Sequence, residues 1–436
     1  MIARAKALLA QGCHKAFFRL VLTSERAADM RAVTRVLWQE AIHHFWARGD
    51  WRLTAHLYRR CATHDRQFRA ILKDYDHRIP RPLERNGADA VLRRLEEALA
   101  RHERVQVMPP RHLFLSSDMD RPLESFIGTR ILFFMPLRSP RGVSLIFSRA
   151  FHDTARGLGL PVEMVALDDE ARIGVNACRR QAIAAIERFR PDLVIVESNN
   201  PSDGRAFDTG FVRAIKSRSS LAFCVVIMDA HNRAKHAAKF EYWRRDADRI
   251  ICFEPGFQVA DSEVGRAFLA PTICDETLFR DAGKVRDIAV SFTGAFKYAR
   301  ACWLAAVANA AIGLHMPRDV DGRPMTPREY VDVMQRSRAV LNFGGREAGN
   351  YIVTGRPWEI MHCRTLLLEE EGSHLDSFFL PYVHYIPFSS ASDLVNKCLF
   401  AERQPEHAAA AAARGAEFNA QWYGARRFWT RFLNSF

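Results

Sequence analysis

The sequence predicts an α/β protein in which two parallel sheets follow one another behind an all-helical front. Three observations carry this. From Arg130 onward, short apolar runs alternate with helix-like stretches: Ile131 to Met135, Val162 to Leu167, Asp192 to Val196, Ala222 to Met228 and Arg249 to Phe253 are each bounded by turns. Runs of that kind read as buried parallel strands joined by crossover helices. A second series then starts at Ile288 to Phe292 and continues through Ala339 to Phe343, Thr365 to Leu368 and Val383 to Ile386. Residues 1 to about 125, by contrast, show no strand-like alternation, while Val33, Leu37, Ala41 and Phe45, then Leu57 and Cys61, fall at helical spacing.

In chain order, Gly49-Asp50 separates two helices of the front, and Pro80 to Pro82 ends another before Ala88 to Ala100 resumes the pattern. The pairing resembles helical hairpins, but no period repeats three times, so no repeat array is assigned. Met108 to Gly128, with Pro109, Pro110 and Pro122, reads as a linker. Three units are therefore expected: a helical domain over 1–125, a first α/β domain over 128–275 and a second over 285–436. Within the second, Thr326-Pro327-Arg328-Glu329 has the form of a capping box with a first-turn proline, and Pro357 is placed to begin a short helix over about 357–363. Ligands of parallel sheets sit beyond the carboxyl ends of the strands, so the cleft between the two sheets is the expected site.

Composition narrows the partners. The formal charge of +13 calls for acidic company such as phosphate-bearing substrates or an anionic leaflet. Residues 1–128 hold 23 Lys/Arg against 15 Asp/Glu, so +8 of that charge lies in the front. The front is accordingly expected to be separable, and to dock an acceptor, a protein partner or the membrane face. No zinc-finger spacing and no aromatic RNA-binding motif is present, which argues against nucleic acid. The longest nearly apolar run, Ala301 to Met316, contains Asn309 and is shorter than the ~20 residues of a bilayer span. The N-terminal stretch is broken by Gln11, Gly12 and His14, unlike a secretory signal. A cytoplasmic protein is expected, with peripheral contact at the inner membrane face left open. Nine scattered cysteines without a Cys-x-x-Cys pair read as reduced core residues, and no metal site is assigned.

The densest chemistry lies in Gly355-Arg356-Pro357-Trp358-Glu359. Arg356 offers a guanidinium fork for phosphate oxygens, and Glu359 can accept both hydrogens of a vicinal diol such as a ribose. The turn Thr293-Gly294 follows a strand, with Lys297 and Arg300 placed to meet phosphate. The loop Gly344 to Asn350, with three glycines and two charges, leads into Tyr351 and the Arg356 helix. These features suit a nucleoside diphosphate. On the acceptor side, Asp229 and His231 directly follow a buried strand and are the first candidates for a base, with Glu197 next. Arg138, Arg141 and Gly142 would line the acceptor side. The run Glu369-Glu370-Glu371 is expected to be a solvated turn.

At these residues the chain resembles the GT-B glycosyltransferases with two Rossmann-like domains, and within them the CgeB-like branch of the group 1 relatives. The resemblance spans about 128–430. It rests on Val290-Ser291-Phe292-Thr293-Gly294, on Tyr330 to Asn342, on the Gly355 to Glu359 motif, and on Tyr385-Ile386-Pro387 leading to Asp393-Leu394. It implies that Glu359 holds the ribose of a nucleotide-diphosphate sugar, and that the sugar passes, without a metal or other cofactor, to a glycan, lipid-linked or protein acceptor. One position departs from the family: where the wider pattern has a glutamate eight residues before Glu359, this chain has Tyr351. That departure keeps open a non-catalytic nucleotide-binding protein on a degenerate body, and a sugar-nucleotide epimerase of the same fold remains a second alternative.

Overall fold

The computed structural model describes residues 1–25, 37–38, 40–41, 44–45, 57, 87–102, 121–138, 144–167, 170–198, 202–228, 233–254, 267–294, 300–310, 312–317, 319–320, 323–345 and 351–436. In the front these include helices α1 (Ile2–Ala10), α2 (His14–Glu25) and α3 (Gly87–His102).

The first α/β unit runs β1 (Ile131–Met135), α4 (Ile146–Gly157), β2 (Val162–Ala166), α5 (Glu170–Ile173), α6 (Val175–Phe189), β3 (Leu193–Glu197), α7 (Thr209–Lys216), β4 (Ala222–Ile227), α8 (Arg233–Trp243), β5 (Arg249–Cys252) and β6 (Ala267–Leu269). Its six strands are all parallel, in the order β2-β1-β3-β4-β5-β6. The strands form where the apolar runs predicted them because both faces are covered: every residue of β1 is buried.

The second unit contains β7 (Ile288–Ser291), α9 (Arg300–Asn309), β8 (Leu314–His315), a short hairpin of β9 (Asp319–Val320) and β10 (Arg323–Pro324), α10 (Pro327–Arg336), β11 (Ser337–Asn342), α11 (Arg356–His362), β12 (Leu366–Glu370), β13 (Ile386–Phe388), α12 (Ala391–Arg403) and α13 (Pro405–Tyr423). Its parallel sheet has the order β13-β12-β11-β7-β8. In both sheets the first strand lies between the second and the third, so each has a point where the connections diverge to opposite sides, at β1/β3 and at β7/β11. Open parallel sheets bind ligands outside the carboxyl ends of the strands at such a point. The capping box is present: Thr326 Oγ1 accepts from the Glu329 N–H at 3.3 Å, while Glu329 Oε2 accepts from the Thr326 N–H at 2.7 Å.

Sequence boundaries give way in three places. The last helix, α14 (Ala425–Asn434), crosses back to the first sheet, where the fully buried Trp429 stacks edge-on against Phe133 and Phe151 and donates to Thr154 Oγ1 at 3.0 Å. The end of the segment read as a linker is not loose: Glu124 pairs with Arg426 at 2.8 Å, and the Asn434 side chain bonds the Arg121 backbone. The front, finally, does not stand apart from the second unit. Ala5, Leu9, Phe17, Val91 and Leu95 share one apolar core with Leu394, Val395 and Cys398 of α12. Gly87 at the start of α3 lies so close to Asn396 that a Cβ there would come within 2.3 Å of its side-chain oxygen, and Arg94 donates to Tyr382 Oη at 3.1 Å. Burying Val91 and Leu95 alone contributes several kcal/mol, at ~1.5–3 kcal/mol per large apolar side chain. The stretch 274–286 joins the sheets and is pinned by Arg286, which donates to the carbonyls of Met334, Ser337, Cys363 and Arg364.

Candidate active site

A cleft of about 260 Å³ separates the two sheets at the carboxyl ends of their strands. Phe147 of α4, Met228 after β4 and Phe253-Glu254 after β5 form one wall. The other consists of Tyr330 of α10, residues 352–355, and Arg356 and Glu359 of α11. The first wall is largely apolar, with Glu254 its acid and Thr272, after β6, its hydroxyl. The second carries the cation and the second carboxylate.

Both are positioned by buried neighbours. Arg356 Nη1 donates to Asn342 Oδ1 at 2.9 Å, and Asn342 is the last residue of β11, wholly buried. A Cβ placed on Gly294, just past β7, would come within 3.1 Å of Arg356 Nη2. The guanidinium therefore lies over the carboxyl ends of β7 and β11, at the point of divergence of the second sheet, and a side chain at 294 would press on it and on the Phe292 ring. Gly294 and Arg356, assigned separately from the sequence, form one place. Glu359 Oε2 accepts from Tyr330 Oη at 2.7 Å, while its Oε1 lies toward Gly355. Burial raises the Glu359 carboxyl above the ordinary carboxylate range, opposed by the Tyr330 hydrogen bond and the Arg356 charge. Burial, with the Glu359 charge, raises the Tyr330 phenol well above its usual value, so Tyr330 is the donor in this pair. Arg356 with Glu359 thus offers a phosphate-binding cation and a diol-binding carboxylate one helical turn apart.

The remaining sequence candidates fare differently. Asp229, His231, Lys297, Asn350, Arg141 and Gly142 lie outside the described residues. Arg300 does not face the cleft: it is 3% exposed, and its Nη2 donates to the carbonyls of Phe343 and Gly345, supporting the loop after β11. Tyr351 does not line the cleft. Its ring packs on Gly372, whose added Cβ would lie 3.0 Å from it, and its backbone bridges to Gly345. Arg138 is exposed, bridges by its backbone to Ser144 and does not line the cleft. Glu197 sits at the divergence point of the first sheet, where its Oε2 accepts from Ser148 Oγ at 3.0 Å, and it does not line the cleft.

The glutamate run is the clearest reversal. Glu369 and Glu370 are not a solvated turn but the end of β12, 1% and 3% exposed. Glu369 Oε2 accepts from Asn342 Nδ2 at 2.7 Å, and Glu370 Oε2 accepts from the Gly345 N–H at 2.8 Å. The first therefore backs Arg356 through Asn342, and the second ties down the Gly344-Gly345 turn.

Glu254 on the cleft wall and Asn342 behind Arg356 were not among the sequence candidates. Glu254 follows an apolar strand, as Glu197 does, and the same rule would have found it. Its Oε2 accepts from the Val353 N–H at 3.1 Å, across the cleft. Asn342 carried a weaker signal, an amide closing a run of apolar strand residues. Among the described residues no group of three or more His, Cys, Asp or Glu is placed to hold a metal ion, and no helix is long and apolar enough to cross a membrane.

Comparison with known proteins agrees with this architecture. Residues 276–434 match the family model described as Glycosyl transferase-like. No curated protein matches the chain in sequence. Among solved structures the chain is similar to an alpha-glucosyltransferase in complex with UDP and a 13-mer DNA containing a HMU base, at a TM-score of 0.52 and 12% identity over 71% of this chain and 99% of the other. It is also similar to Anabaena HepE in complex with UDP and glucose (TM-score 0.47, 11% identity, 70% of this chain and 99% of that one). A third similarity is to UDP-GlcNAc 2-epimerase from Neisseria meningitidis bound to UDP-GlcNAc (TM-score 0.42, 10% identity, 70% and 99%). At such identities the likeness concerns the fold alone. The second sheet, within residues 276–434, is thus part of a glycosyl transferase-like domain, and with the first it makes up a body of the GT-B fold.

Proposed function

We propose that this protein is a glycosyltransferase that moves a sugar from a nucleoside diphosphate donor to a glycan, lipid-linked or protein acceptor. The observation that carries the reading is the convergence of Arg356 and Glu359 on one cleft between two parallel sheets, with Gly294 beside the Arg356 guanidinium at the divergence point of the second. Arg356 binds the diphosphate and stabilises the charge that develops as the bond from the anomeric carbon to phosphate breaks. Glu359 holds the ribose hydroxyls. The apolar wall of Phe147, Met228 and Phe253 receives the acceptor, and Glu254 is the acidic group on that wall able to take the proton of the attacking hydroxyl. Asp229 and His231, which follow β4 in the sequence, keep their place as rival bases. Donors of the uridine type are the first to test, because UDP accompanies the alpha-glucosyltransferase of the same fold.

The experiment is a thermal-shift screen of the full chain against UDP, GDP, ADP, CMP and their sugars. A ligand at ~100 times its dissociation constant adds ~2.7 kcal/mol of stability. One nucleotide should stabilise, and its sugar should then support transfer or slow hydrolysis. If none shifts the transition, the donor assignment fails; if a nucleotide sugar is interconverted without an acceptor, the epimerase reading replaces transfer.

A further inference from the structure

We infer that Glu369 is a positioning residue for the donor: acting through Asn342, it fixes how Arg356 meets the diphosphate and couples donor binding to the uptake of a proton. The inference rests on the assignment of Arg356 to the diphosphate. Its basis is a three-residue relay. Asn342 and Glu369 are direct neighbours in register on β11 and β12. The Asn342 amide nitrogen donates to Glu369 Oε2 at 2.7 Å and to Thr354 Oγ1 at 3.0 Å, and its oxygen accepts from Arg356 Nη1 at 2.9 Å. The Arg356 guanidinium can only donate, so it must meet the amide oxygen, and this leaves the amide nitrogen to donate to Glu369 Oε2. Asn342 is 0% and Glu369 1% exposed, so water cannot substitute for either contact.

Such a relay also transmits charge. Burial pushes the Glu369 carboxyl up to about 8, opposed by hydrogen bonds from Asn342 and Ser373 and by the charge of Arg356, while Glu370 on the same strand adds to the rise. From the β13 side it is faced by Tyr385, a phenol that burial keeps neutral. Near neutral pH, therefore, Glu369 is largely a neutral acid, and the charge of Arg356 faces the cleft without a counter-charge behind it. As pH rises through about 8, the acid ionises and compensates that charge. A diphosphate on Arg356 works in the opposite direction: its negative charge disfavours ionised Glu369, so a proton must be bound with it. An ordinary carboxylate behind an arginine would be ionised throughout this range and would take up none.

The test is calorimetric titration of the full chain with UDP, GDP and ADP at pH 8, in buffers of differing ionisation enthalpy. The wild-type protein should take up as much as about half a proton on binding, and its affinity should fall by about two- to fourfold from pH 7 to 8.5, the most that a single group ionising near 8 can supply. Glu369→Gln keeps an oxygen for Asn342, and it should bind with no proton uptake and a flat profile. Clear binding by the wild-type protein without uptake overturns the inference, and needs no variant that might misfold. Uptake that persists in Glu369→Gln overturns it as well. If none of the three nucleotides binds, the diphosphate assignment itself fails and takes the inference with it.

Discussion

The sharpest perturbation of the proposed donor site is Glu359→Gln, because the structure separates its two effects. One carboxylate oxygen, Oε2, holds the hydroxyl of the buried Tyr330, and the other, Oε1, lies toward Gly355 at the cleft. Glutamine retains an oxygen for Tyr330, so the local fold should persist, but it turns an N–H donor toward the ribose, where an acceptor is needed. Losing one charge-assisted hydrogen bond of this kind costs about 1–2 kcal/mol, or about five- to thirtyfold in dissociation constant. Glu359→Ala adds a second cost of about 1–3 kcal/mol, since it leaves the Tyr330 hydroxyl buried without its acceptor. Calorimetry with UDP and with uridine, beside thermal melts, separates the two. Glu359→Gln should weaken both ligands by the same factor at an unchanged melting temperature, whereas Arg356→Ala should weaken UDP far more than uridine. Should Glu359→Gln bind UDP as tightly as the wild-type protein while Glu359→Ala merely melts earlier, Glu359 is a structural partner of Tyr330 and the ribose assignment is wrong.

Other outcomes follow from the same geometry. Glu254→Gln should retain nucleotide binding and lose about 100-fold or more in turnover if it is the base, measured with whichever donor the screen selects; undiminished turnover returns the role to Asp229 or His231. The stability of the free protein carries its own pH signature. The carboxyl of Glu369 is raised in the folded state to about 8, so its stabilising contribution is complete below the unfolded value of about 4.3 and is lost as pH rises toward 8. Glu369→Gln should accordingly gain stability over the wild-type protein from pH 5 to 8, by up to a few kcal/mol, and a difference that does not grow with pH would contradict this. Burial pushes His384 down to about 3, where it stacks on Phe418 at 4.1 Å. Held neutral, it stabilises fully above pH 6.5, and melts should show that stability lost as pH falls from 6.5 toward 4, less steeply in His384→Gln. Removing residues 1–102 should expose the α12 face now covered by Val91 and Leu95, so the shortened chain should melt earlier or aggregate; a fully stable product would show the front to be an appendage.

What could be read in advance followed from local rules. Buried parallel strands must be continuous apolar runs, so β1, β3, β4, β5, β7 and β11 announced themselves. A capping box declares a helix start within four residues, and Arg356 with Glu359 stood out because their chemistry and spacing are contained in one helical turn. The sequence therefore determined two parallel sheets, their order along the chain, and the pair of charges at the cleft. Tertiary structure alone decided which distant residues complete that pair. Tyr330 is 29 residues from Glu359, Asn342 is 14 from Arg356 and Glu369 is 27 from Asn342, and they meet only because β11 and β12 pair in one register and α10 folds over their ends. The same dependence explains the errors. Three consecutive glutamates look solvated until a neighbouring strand supplies an amide, and a basic helical front looks independent until α3 meets α12. A helix that crosses between domains, as α14 does, has no local signature at all, because the amphipathic pattern that makes it a helix does not say which sheet will cover it.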